Sequence, residues 1–114
     1  MTNNDVLGVK IAGFSGEVDN GNSGAAKTID FTTGSLQKVS LNAACTFTLI
    51  FPAPGRYQLK LVAAAGAGAV TWPSAKWFSS PTAPALSTTP GNVSIISFYF
   101  DGTVVYGSGG GFGF

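Results

Sequence analysis

Residues 36–63 read LQKVSLNAACTFTLIFPAPGRYQLKLVA, and within this stretch three runs alternate apolar and polar side chains. In QKVSLN, Val39 and Leu41 share a face; in TFTLIFP, Phe47, Leu49 and Phe51 do so. In RYQLKLVA, Tyr57, Leu59 and Leu61 lie opposite Gln58 and Lys60. Successive side chains of extended backbone point to opposite sides, so a period of two marks a strand with one buried face. Each run has the length of a strand and ends in Gly, Pro or Asn. KTIDFTT, upstream, repeats the pattern with Ile29 and Phe31.

Two turns follow from residue chemistry. FPAPGRY joins two alternating strands, with proline fixing φ and Gly55 permitting a tight reversal. FYFDGTVVY (98–106) predicts a hairpin whose Asp101-Gly102 pair suits the positive-φ positions of a type I′ turn. The alanine-rich VAAAGAGAV (62–70) is broken by Gly66 and Gly68 and reads as a loop or close-packed strand corner. Short strands with regular turn signals predict an all-β fold: an antiparallel β-sandwich or jelly-roll-like single domain with a short N-terminal arm.

The expected boundaries are an arm and linker at 1–24, the β module at 25–108, and a Gly/Phe-rich tail at 109–114. The arm carries Val6, Leu7, Val9, Ile11 and Phe14, followed by the polar SGEVDNGNSG. These apolar side chains are too few to fold alone and too apolar for a solvated tail. They are the candidate attachment segment, adding a strand to another sheet.

The chain has 114 residues, enough for one domain with a core of its own. Charged residues are 10% of it and the net charge is +1. Six basic residues, scattered singly, argue against nucleic acid, which demands clustered cations. Low charge protects a surface poorly against association and points toward an assembly subunit. The single cysteine, Cys45, excludes an internal disulfide and reads as a buried, inert thiol. No window reaches ~18 apolar residues, so no membrane-spanning helix is expected. MTNNDVLGVK has no basic-then-apolar leader pattern, and Met1 fits a complete small gene product.

The strand NVSIISFYF is apolar on both faces, with Val93, Ile95 and Tyr99 on one and Ile96, Phe98 and Phe100 on the other. A doubly apolar strand needs two covers, one of them a second subunit or the arm. Val93, Ile95 and Tyr99 are therefore the candidate interface.

There is no histidine, which removes an imidazole base, a His-ligated metal and a Ser-His-Asp triad. Glu17 and Asp19 fall in the expected linker, and Asp101 is accounted for by its turn. No catalytic residue, metal site or cofactor is expected. The aromatics remain: Trp72 and Trp77 with Tyr57, Tyr99 and Tyr106 suit sugar stacking or the edge of a core. Trp77, at the start of a proline-rich loop, is the candidate glycan contact.

In order, KTIDF, LQKVSLNAACTFTLIFPAPGRYQLKLV, AVTWP, a second Trp, TAPALSTTPG and ISFYFDGTVVYG resemble a β module of tailed-bacteriophage virion proteins. That module is commonest near the ends of tail fibres and in tail-tip proteins, and the resemblance spans roughly residues 26–107. It implies a non-enzymatic structural protein, a homotrimer, displayed on the particle exterior. Its partners are then other virion proteins and a host-surface glycan or protein. The matching positions (Trp72, Pro73, Trp77, Pro90, Gly91, Phe98, Tyr99, Asp101, Gly102, Tyr106) have structural roles in the family. Two features depart from it: AAAGAGA stands where the family has a polar, acidic loop, and no long shaft precedes the module. The short arm instead fits a capsid-decorating protein, and the aromatics fit a carbohydrate-binding module.

Overall fold

Successive strands of the first half lie in alternate layers. A computed structural model describes residues 16–78 and 83–111. Their strands are β1 (Val18–Asn22), β2 (Ala26–Asp30), β3 (Leu36–Leu41), β4 (Cys45–Ile50) and β5 (Gly55–Ala63), then β6 (Val70–Thr71), β7 (Lys76–Trp77), β8 (Val93–Phe100) and β9 (Val105–Gly111). A short 3-10 turn at Phe31–Thr33 is the one helical element among the described residues. The fold is all-β.

Strand direction differs from the antiparallel expectation. One sheet has six strands in the order β1-β3-β5-β8-β9-β7, and the other has three in the order β2-β4-β6. β1, β3 and β5 pair in parallel, as do β2, β4 and β6. Parallel neighbours need a crossover between them, and here each crossover is a strand of the opposite layer. The chain from β1 to β6 is thus a coil passing back and forth between the two sheets. FPAPGRY is one of these passages and not a hairpin: β4 and β5 belong to different sheets. The Tyr57 hydroxyl pins that passage by donating to the Ala53 carbonyl at 2.6 Å.

Antiparallel pairing begins only with β8, which lies between β5 and β9. The hairpin at Asp101-Gly102 exists, but its loop has four residues, since Phe100 pairs with Val105. The Asp101 carboxylate shapes it, accepting from the Thr103 and Val104 N–H groups at 2.8 and 2.7 Å. This replaces the two-residue type I′ turn.

Both sheets contribute to one core, with Ile29 and Phe47 from the small sheet facing Val39, Leu41, Leu59, Leu61, Ile96 and Phe98 from the large one. An aromatic stack runs along the coil corner: Phe31 lies over Phe51 at 5.2 Å, and Phe51 over Phe100 at 5.2 Å. The alanine-rich stretch is a close-packed corner. A Cβ on Gly66 would meet the Asn42 carbonyl oxygen at 2.8 Å, and one on Gly68 the Ala44 nitrogen at 2.9 Å. Cys45 is buried, and that burial pushes its thiol pKa up.

The polar stretch expected as linker is instead part of the large sheet. Asp19 pairs in register with Lys38, and their side chains meet at 3.8 Å. The Asn20 amide donates to Gln37 Oε1 and to the Lys38 carbonyl, each at 2.9 Å. The strand forms because its polar side chains meet partners on β3 and do not need an apolar face. The module's boundary therefore lies N-terminal to Val18. Val6, Leu7, Val9, Ile11 and Phe14 lie outside the described residues. Of the expected tail, Gly109–Gly111 belongs to β9.

Candidate functional site

Four side chains stand in one row on the outer face of the large sheet. Arg56 on β5 pairs in register with Tyr99 on β8, Tyr99 with Tyr106 on β9, and Tyr106 with Lys76 on β7. All four are exposed. The alternation that sends Tyr57, Phe98, Gly107 and Trp77 inward sends these neighbours outward. The two rings, 49% and 41% exposed, have centroids 6.2 Å apart and planes tilted by 32°. A cation therefore stands at each end of an aromatic pair.

Two residues along the strands runs a second, polar row. Leu36 pairs with Gln58, Gln58 with Ser97, and Ser97 with Ser108. The Gln58 amide donates to the Ser97 hydroxyl at 3.2 Å. Phe78, 80% exposed, stands beyond Lys76, its backbone N–H donating to the Gly107 carbonyl at 2.9 Å. Together these residues enclose an open groove of about 790 Å³.

Among the described residues no carboxylate lines the groove. Glu17 pairs with Lys60 at 2.7 Å and Asp19 with Lys38. Asp30 accepts from the Thr32 hydroxyl and from the Thr32 N–H, which hold its carboxyl below the usual aspartate range. The Val104 and Thr103 N–H groups do the same for Asp101. Among the described residues, Arg56 and Lys76 have no carboxylate partner. Asp30 and Asp101 are each engaged in their own turn. Among the described residues no group of three or more His, Cys, Asp or Glu side chains could hold a metal ion.

The expected site residues separate. Val93, Ile95 and Tyr99 do share the outer face, with Ile96 and Phe98 buried beneath. Val93 and Ile95 are half-buried and sit beside Val62 and Lys60, an aliphatic end distinct from the tyrosine end. Trp77 is turned toward the core, its ring against Trp72 at 5.7 Å and Phe98 at 6.1 Å. Trp72 stacks on Phe47 at 5.4 Å. Trp77 also lines the groove, but its ring packs on Trp72 and Phe98, so the exposed aromatic platform is Tyr99 and Tyr106. Arg56 and Lys76 look isolated in the sequence, and only the register brings them to this platform.

Comparison of the chain with protein-family models, with curated proteins and with solved structures finds no match.

Proposed function

We propose that the protein is a non-enzymatic structural subunit of a tailed-bacteriophage particle. In this reading it is a tail-fibre or tail-tip module that meets the host surface through the outer face of its large sheet. The observation that carries this is the exposed Tyr99–Tyr106 pair flanked by two cations that have no carboxylate partner among the described residues. Exposed aromatics with an Arg are the residue types that anchor interfaces.

Further support comes from where the motif residues lie. Trp72 and Trp77 fill the core edge, and the Gly91 N–H donates to the Ala63 carbonyl at 2.8 Å with φ at 90°. Asp101 and Gly102 shape a turn. In this reading most of the pattern serves the two layers of strands, while its Tyr99 and Tyr106 also face the groove. The half-buried Val93 and Ile95 end serves a homotrimer, which leaves the tyrosine end free. The same rings favour carbohydrate as the class of host contact, so the carbohydrate-binding reading coexists with the structural one.

The test is to locate the protein in purified particles by mass spectrometry and immunogold labelling. Label at the tail end is expected. Label over the capsid would select the decorating reading, and absence from particles would overturn both.

A further inference from the structure

We propose that the Arg56–Tyr99–Tyr106–Lys76 row binds an acidic oligosaccharide of uronate type, laid across the strands. The inference rests on reading this face as the host contact. Neighbouring strands are ~4.8 Å apart, so the row offers one side chain per strand at that interval. This interval is close to the length of one pyranose residue in an extended chain. Two adjacent sugars thus find two adjacent, half-exposed rings with centroids 6.2 Å apart, each an apolar surface of the kind that matches the C–H face of a pyranose.

The ends of the row set the charge. Arg56 and Lys76 stand three strand spacings apart, on the order of 14 Å, and among the described residues no carboxylate lines the groove. A ligand with carboxylates beyond both stacked rings meets a cation at each end. Arg56 supplies a planar fork for bidentate contact, while Lys76 supplies a compact charge. The polar row of Gln58, Ser97 and Ser108 lies on the hydroxyl side of a chain placed this way. It presents an amide and two hydroxyls, groups that both donate and accept. A neutral glycan would use the rings and this row but leave both cations unanswered. An acidic peptide would use the cations but offers no flat apolar faces at the strand interval.

The full chain is titrated with hexagalacturonate, with maltohexaose as the neutral comparator and hexaglutamate as the acidic peptide. Hexagalacturonate is expected to bind at least about tenfold tighter than either, an affinity ratio set by one charge-assisted contact. Arg56→Gln and Lys76→Gln should each weaken it about tenfold and flatten its salt dependence. Tyr99→Ser should weaken both sugars, whereas Lys27→Gln on the small sheet should change nothing. Unaltered thermal melts of each variant establish that the fold is intact. Equal affinity for maltohexaose, equal affinity for hexaglutamate, or indifference to Tyr99→Ser would overturn the proposal. Particle labelling is read separately: tail label without uronate binding rejects the ligand, and uronate binding without particle label rejects the virion reading.

Discussion

The Trp77 indole rests on the backbone of Gly107, where a Cβ would stand 2.4 Å from Cζ3 and 2.7 Å from Cε3. The two residues pair across β7 and β9, and Phe98 pairs with Gly107 from the other side. The ring occupies the space a side chain would take, which lets a two-residue edge strand hold its place. Gly107→Ala is expected to destabilise the protein by about 1–3 kcal/mol, the usual cost of overpacking. Denaturant unfolding followed by tryptophan emission measures it. A variant as stable as the parent would show that the ring moves aside freely.

How much of this was legible in the sequence depends on the element. The inward residues Ile29, Val39, Leu41, Phe47, Leu59 and Leu61 follow from alternation alone, and all are buried. Strand direction does not, because a period of two is the same in parallel and antiparallel sheets. The coil also hides as a repeat, since its turns change length: Val18 pairs with Gln37, but Leu36 with Gln58. The site was half visible. Tyr99 and Tyr106 stand out as aromatics, but a two-residue turn at Asp101-Gly102 would pair Tyr99 with Val104. Only the four-residue loop pairs the two tyrosines and brings Arg56 and Lys76 into their row.

Gln37 is 1% exposed among apolar neighbours, so its amide must be satisfied internally. It donates to the Gly34 carbonyl at 2.9 Å and the Thr33 hydroxyl at 3.0 Å, and accepts from Asn20 at 2.9 Å. Gln37→Leu keeps the volume but strands those partners. A loss of about 1–3 kcal/mol is expected, measured by urea unfolding. An unchanged midpoint would mean that water replaces the amide at no cost.

Gly102 has a φ of 103°, and a Cβ there would touch Pro54 Cγ at 3.4 Å. A β-branched residue is strained in that region whatever the space. Gly102→Val should cost about 1–3 kcal/mol. Gly102→Asn should cost less, because Asn tolerates positive φ better. Thermal melts that rank the two variants equally would remove backbone strain as the cause.

Acid should loosen the turns in a defined order of cause. Asp30 and Asp101 are held below the ordinary aspartate range by hydrogen bonds that only their ionised forms accept fully. A folded pKa below the unfolded one adds stability that is present above about pH 4 and is lost as pH falls through the folded value. The melting temperature should therefore be flat near neutrality and drop in the acid range. Asp101→Asn, which cannot be protonated, should shrink that drop. An acid limb identical to the parent's would assign it to other carboxylates.

The last expectation concerns assembly. Ile95 lies on the outer face opposite Lys60, half-buried, while Ile96 beside it is 0% exposed. An aspartate at 95 would stand next to a lysine and in reach of solvent, so a monomer should tolerate it. An aspartate at 96 would enter the core and unfold the chain. If the Val93 and Ile95 end is the trimer contact, the parent sediments as a trimer at tens of micromolar, an order-of-magnitude choice set by ordinary interface affinities. Ile95→Asp should then sediment as a folded monomer, with a melt that no longer depends on concentration. A parent that is monomeric at that concentration removes the trimer. A parent trimer that Ile95→Asp leaves intact moves the contact away from this face.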